Sequence, residues 1–129
     1  MTITNRKLYE GGLKVRRQVL GAEYVDPNMA AAEKDPAARA IQDMVNEYCW
    51  GYGWTRPGLP RKTRSMLNLV LLMALGKPNE LKAHVRGARR NGVTKNEIIE
   101  VLIHGTIYCG IPAGVDAFRN AKEALDALE

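Results

Sequence analysis

Prolines and glycines cut this chain into helix-length pieces, and no piece between them alternates like a strand. Asp35-Pro36, Pro60, Pro78 and Ile111-Pro112 stand where helices can begin, because proline in a first turn forfeits no hydrogen bond. Gly21, Gly76, Asn91-Gly92 and Gly110 stand where helices can end. The punctuation predicts an all-α fold of about six helices. The first runs from Thr4 to Leu20, weakened by roughly 1 kcal/mol at each of Gly11 and Gly12 relative to alanine. Ala22 to Lys34 has no clean period and reads as a long connection with a turn at Asp26-Pro27. A second helix from Pro36 to about Cys49 should bury Ile41, Met44, Val45 and Tyr48. Trp50 to Leu59, interrupted by Gly51, Gly53, Pro57 and Gly58, reads as an aromatic-rich loop.

The third helix, Pro60 to Leu75, carries Leu67, Leu69, Val70, Leu71, Leu72, Met73 and Leu75 on every face, which places it at the centre of the fold. The fourth runs from Pro78 to Asn91-Gly92. Thr94 and Glu97 form a capping box for the fifth, which reaches about Cys109, and the sixth runs to near Leu128. A chain of 129 residues, 46% hydrophobic and 26% charged, suits one soluble domain. Its expected parts are an N-terminal helix and connection over 1–34 and a helical core over 35–129.

Met1 to Glu10 is polar and does not read as a signal peptide. The apolar run Met66 to Leu75 is about half a membrane span. Cys49 and Cys109 are too few for a disulfide framework and lie in no Cys-x-x-Cys, so both read as small buried hydrophobes in a reducing cytoplasm.

The net charge of +5 is unevenly spread. Residues 50–64 hold Arg56, Arg61, Lys62 and Arg64 without an acid, and residues 82–96 hold Lys82, Arg86, Arg89, Arg90 and Lys95 without one. Residues 1–20 are also basic, whereas 21–49 and 97–129 are each net −4. No helix-turn-helix, zinc-ligand or aromatic RNA-binding pattern accompanies the charge, so neither nucleic acid nor membrane is the expected partner. These are either solvated faces or arginines for a carboxylate-bearing small molecule, since guanidinium forks match carboxylates.

Two Glu-x-x-x-His pairs invite chemistry. Glu80 and His84 share a face of the fourth helix, either as a boundary ion pair or as a proton-transfer pair. Glu100, His104 and Tyr108 draw a polar line down the otherwise apolar fifth helix, as satisfied core groups or as one wall of a pocket. The spacing departs from the Glu-x-x-His of helix-bundle metal sites, so no metal is expected. The aromatic stretch Tyr48 to Trp54 reads as a plug, a subunit contact or a wall over a flat unsaturated ring.

These residues resemble a known family. Trp50-Gly51 to Trp54, Arg56-Pro57-Gly58-Leu59, Thr63-Arg64-Ser65, Ala74-Leu75-Gly76, Glu80-Leu81, His84 to Ala88 and Asn91 to Thr94 match it, as do Glu97-Ile98, Glu100-Val101-Leu102, His104, Tyr108 to Ala113 and Ala117-Phe118. Upstream, Val15 to Gly21 matches its start. The pattern is that of the 4-carboxymuconolactone decarboxylases, within the alkylhydroperoxidase D-like superfamily, and covers roughly residues 9–125. The resemblance implies a cofactor-free all-α subunit in a homo-oligomer, typically a hexamer. It implies decarboxylation of 4-carboxymuconolactone, a small anionic lactone, to 3-oxoadipate enol-lactone in the protocatechuate branch of aromatic catabolism, the β-ketoadipate pathway.

On that reading His84 donates the proton and Glu80 tunes it. Arg64 or Arg56 meets a carboxylate or the oxyanion, and Glu47, Trp50, His104 and Tyr108 shape the pocket. Peroxide-reducing relatives carry Cys-x-x-Cys just before the matching histidine. Lys77 and Glu80 occupy those positions here, which excludes that activity. Tyr52-Gly53 departs from the decarboxylase pattern, where an acidic residue is expected after Gly51. Other expectations are a different lactone or small-dicarboxylate lyase or isomerase, and a non-catalytic oligomeric binding protein.

Overall fold

The computed structural model describes residues 2–129, and among them there is helix and no strand. The elements are α1 (Arg6–Leu20), α2 (Ala22–Ala32), α3 (Pro36–Met44), a π-helix (Val45–Trp54), α4 (Arg61–Leu75), α5 (Pro78–Arg90), α6 (Lys95–Cys109) and α7 (Ile111–Asp126). They cluster into two compact units that divide between Leu59 and Pro60.

In the first unit, α1 starts where Asn5 Oδ1 accepts the Leu8 amide at 3.1 Å, and it ends at Gly21, whose φ of 90° suits glycine. Its buried face is Tyr9, Gly12, Val15, Arg16, Val19 and Leu20, packed on the π-helix. The approach is backbone to backbone. A Cβ on Gly12 would collide with the Asn46 carbonyl, and one on Gly51 would collide with the Leu8 carbonyl.

Three expectations change in this unit. Ala22–Ala32 is a helix, not a connection, and Pro27 lies inside it. It shows no period because only Val25 and Ala32 are buried; the Arg17–Asp26 ion pair at 2.7 Å and the alanines near its end support it instead. Trp50 to Trp54 is not a loop, since the π-helix carries the chain through Gly51 and Gly53. Finally, Ile41, Met44 and Tyr48 are exposed and Val45 only half-buried, while Asp43, Asn46 and Trp50 face inward. The inward face is polar because Arg16, Arg39 and Thr2 supply its hydrogen bonds.

The second unit follows its sequence punctuation closely. Gly76 closes α4 in the left-handed region, and Thr94 and Glu97 form the reciprocal cap of α6. Helix α5 packs on α4 and α7, and α6 packs on the same pair. Leu69, Met73, Leu81, Val85, Val93, Ile98, Leu102 and Leu125 make the core together with the buried Ala88, Ala117, Ala121 and Ala124. Helix α4 is one-sided rather than central: Leu69 and Met73 are buried, but Leu67, Leu71 and Leu75 face outward. The cysteines also differ from expectation, Cys49 being exposed and Cys109 half-buried.

Candidate functional site

His84 sits on α5 between Ala83 and Val85, both fully buried, and its own ring is half-buried with Nδ1 enclosed. Burial alone pushes the imidazole down to about 4, so it is neutral at neutral pH. Glu80, one turn earlier, is exposed and contributes nothing to that shift. Burial, not the neighbouring carboxylate, therefore sets the state of His84. Arg64, in the first turn of α4, is half-buried with its Nε enclosed.

His104 and Tyr108 keep the line read from the sequence. They are exposed on α6 with ring centroids 5.3 Å apart. His104 opens onto a groove of about 670 Å³ between α4 and α6. Its walls are Met66, Leu67, Val70, Leu71 and Val101, with Thr63, Glu100 and His104 as the polar side chains. The second unit thus holds two histidines in different settings: one enclosed on α5, one open in an apolar groove that offers no cationic side chain.

In the first unit, both Glu47 carboxylate oxygens accept from Thr4, one from the backbone amide at 3.0 Å and the other from the hydroxyl. These bonds hold its pKa below the ordinary carboxylate value. Glu47 borders a shallow cleft of about 180 Å³ with Thr4, Leu8, Tyr48 and Tyr52. Trp50 is buried and stacks on Trp54, centroids 4.7 Å apart and planes within 21°, so it is a core ring of this unit. The exposed aromatics are Tyr48 and Tyr52, edge to face at 5.8 Å, and the Arg56 guanidinium lies over the Tyr52 ring at 5.2 Å.

Sequence reasoning missed Arg16. It is buried and binds Gln42 Oε1 at 2.8 Å and Asn46 Oδ1 at 2.9 Å. The signal was present: Arg16 stands four residues from Gly12 and Leu20 and three from Val19, inside the apolar stripe of its helix.

Comparison with known proteins adds names to this geometry. Residues 39–123 match the carboxymuconolactone decarboxylase family. The chain is 37% identical over 126 residues to the 4-carboxymuconolactone decarboxylase of Acinetobacter baylyi, covering 98% of this chain and 92% of that protein. It is 44% identical over 124 residues to the nitrosuccinic acid decarboxylase of Metarhizium robertsii, covering 96% of this chain and 85% of that one.

Proposed function

We propose a substrate class for this chain, which belongs to the carboxymuconolactone decarboxylase family and is a carboxy-lyase. The class is a succinate whose departing carboxylate sits on a carbon conjugated to an electron sink. One observation carries the proposal: near-full-length likeness to two decarboxylases whose named substrates share that core. In 4-carboxymuconolactone the carbon losing CO2 also bears a carboxymethyl group, and the lactone carbonyl accepts the electrons through the ring double bond. In nitrosuccinic acid the nitro group plays that part beside the same carboxymethyl arm. Either way the substrate carries its own sink, and the enzyme must hold the retained carboxylate, shelter the departing one and protonate carbon.

4-Carboxymuconolactone is the first substrate in this class and the enol-lactone its product. The higher identity to the nitrosuccinic acid enzyme favours nitrosuccinate as the second reading. Arg64, half-buried, is suited to bind the retained carboxylate. His84 delivers the proton to carbon. Burial keeps it neutral at neutral pH, and a dianion beside it favours the imidazolium, so the proton is taken up with the substrate. Arg56, Glu47, Trp50, His104 and Tyr108 are the remaining candidates for substrate contacts. The test is CO2 release from each acid by the purified protein. Turnover of a succinate lacking any sink, or of neither named acid, would overturn the class.

We also read the chain as self-associating, as the proposed hexamer requires. Leu67, Leu71 and Leu75 on α4, and Ile103 and Ile107 on α6, are spaced by four residues and exposed; Ile107 is 74% and Tyr108 80% accessible. Monomers seldom leave so many large apolar side chains together in water. Light scattering on the wild type and on L71E should give an assembly and a smaller species, respectively. A monomeric wild type would refute the reading. Among the described residues no helix is long and apolar enough to cross a membrane.

A further inference from the structure

Arg16 is a charge in the interior of the first unit, and the side chains it bonds are neutral. It is 6% exposed, and its Nη1 donates to Gln42 Oε1 at 2.8 Å and Asn46 Oδ1 at 2.9 Å, with the Met29 sulfur at 3.8 Å. Its Nε is buried without an acceptor, and among the described residues no carboxylate pairs with it. Burial lowers the guanidinium's pKa from its usual value, which is the mark of an uncompensated position. An apolar side chain of similar length would pack there at less electrostatic cost. What the arginine supplies is reach: Gln42 lies in the last turn of α3 and Asn46 in the first turn of the π-helix, so Nη1 spans the junction where the helix widens.

The other half of the arrangement lies five residues on. A π-helix sets residue i+5, not i+4, one turn above residue i. Gly51 is five residues after Asn46, and Gly12 lies against both the Asn46 carbonyl and the Gly51 backbone. Leu8 presses its carbonyl onto Gly51 so closely that no Cβ fits there. In an α-helical register the residue one turn above Asn46 would be Trp50, and its indole would have to occupy that space. Helix α1 therefore grips two residues five apart, Asn46 through Arg16 and Gly51 through bare backbone.

We propose that Arg16 is a positioning residue: by holding Asn46 it keeps Val45–Trp54 in the π register and so places Glu47 and the Trp50–Trp54 stack. Its effect on turnover rests on the reading above, in which Glu47 and Trp50 are candidates for substrate contact; its effect on the register does not. Trp50 and Trp54 are the only two tryptophans, so their stacking gives a single exciton couplet in circular dichroism. The purified full chain is compared with R16M, Q42L and Q42E.

R16M is expected to keep the far-ultraviolet helix signal, lose at least half of the couplet, and raise KM about tenfold with kcat changed less. Q42E, which offers the fork a carboxylate, is expected to retain couplet and KM. Should R16M fail to fold, Q42L removes one prong at a half-buried position and is expected to weaken the couplet on its own. A wild-type couplet in R16M, or in Q42L where R16M does not fold, overturns the proposal. A wild type that turns over neither acid, with the couplet responding as described, overturns the functional reading and supports the register assignment.

Discussion

Asn91 donates its side-chain amide to Ser65 Oγ over 2.8 Å, joining the residue after α5 to the first turns of α4. Ser65 is fully buried, so its hydroxyl has no water to turn to. The bond therefore carries the cost of leaving either partner unsatisfied, about 1–3 kcal/mol. S65A and N91A should each lower the free energy of unfolding in urea by that order. The double variant should lose less than the sum, because both remove the same bond. Full additivity would mean the two side chains act separately.

Gly11 and Gly12 look equivalent in sequence and are opposite in structure. Nothing lies within 4 Å of a Cβ added at Gly11, whereas one at Gly12 runs into the Asn46 carbonyl and the backbone of Gly51. G11A should stabilise the protein by roughly 0.5–1 kcal/mol through helix propensity. G12A should destabilise it by several-fold more than that, because two backbones must part. Thermal denaturation of the pair checks both signs, and equal shifts would contradict the close contact between α1 and the π-helix.

That pair also marks where the sequence was readable and where it was not. The second unit could be read almost to the residue, because each boundary has a local chemical cause: Pro78 in a first turn, Gly76 left-handed, Thr94 and Glu97 capping each other. In the first unit local rules were overruled by packing. Gly51 and Gly53 normally break a helix, but here the missing side chain at Gly51 is what lets α1 approach. Asp43 and Asn46 point inward and Ile41 and Met44 outward because Arg16 and Thr2, from outside the helix, wait there to bond them, which no periodicity within one helix reveals. His84 was legible as a half-buried histidine from its place beside Leu81 and Ala88. Its neutrality was not, because the expected carboxylate partner faces solvent and burial decides the matter.

That neutrality has a signature in stability. A histidine whose folded pKa of about 4 lies below its ordinary 6.5 binds its proton more readily when unfolded. Its contribution is complete above pH 6.5 and is lost as pH falls through the window from 6.5 towards 4. The shift corresponds to about 3 kcal/mol. Glu47 and Glu97 are held below their ordinary 4.5, so their losses begin lower. Between pH 6.5 and about 5 the wild type should therefore lose stability that H84Q does not. Parallel pH profiles for the two proteins would show that the ring is solvated after all.

The basic segment 82–96 leads to a prediction about encounter rate. Charge in this segment is already met in part: Lys82 pairs with Glu123 at 3.0 Å and Lys95 with Glu129 at 2.9 Å. The field available to draw in a dianion is thus weaker than the residue count suggests, and it can be tuned from outside the reacting groups. For the wild type, kcat/KM should fall several-fold between low salt and about 0.5 M, while kcat stays level, because screening acts on capture of substrate. E123Q removes an acid that touches none of the proposed substrate-binding residues. It should raise kcat/KM at low salt by about twofold and match the wild type at high salt, where the difference is screened. Equal values at both salt concentrations would show that this segment's charge plays no part in substrate capture.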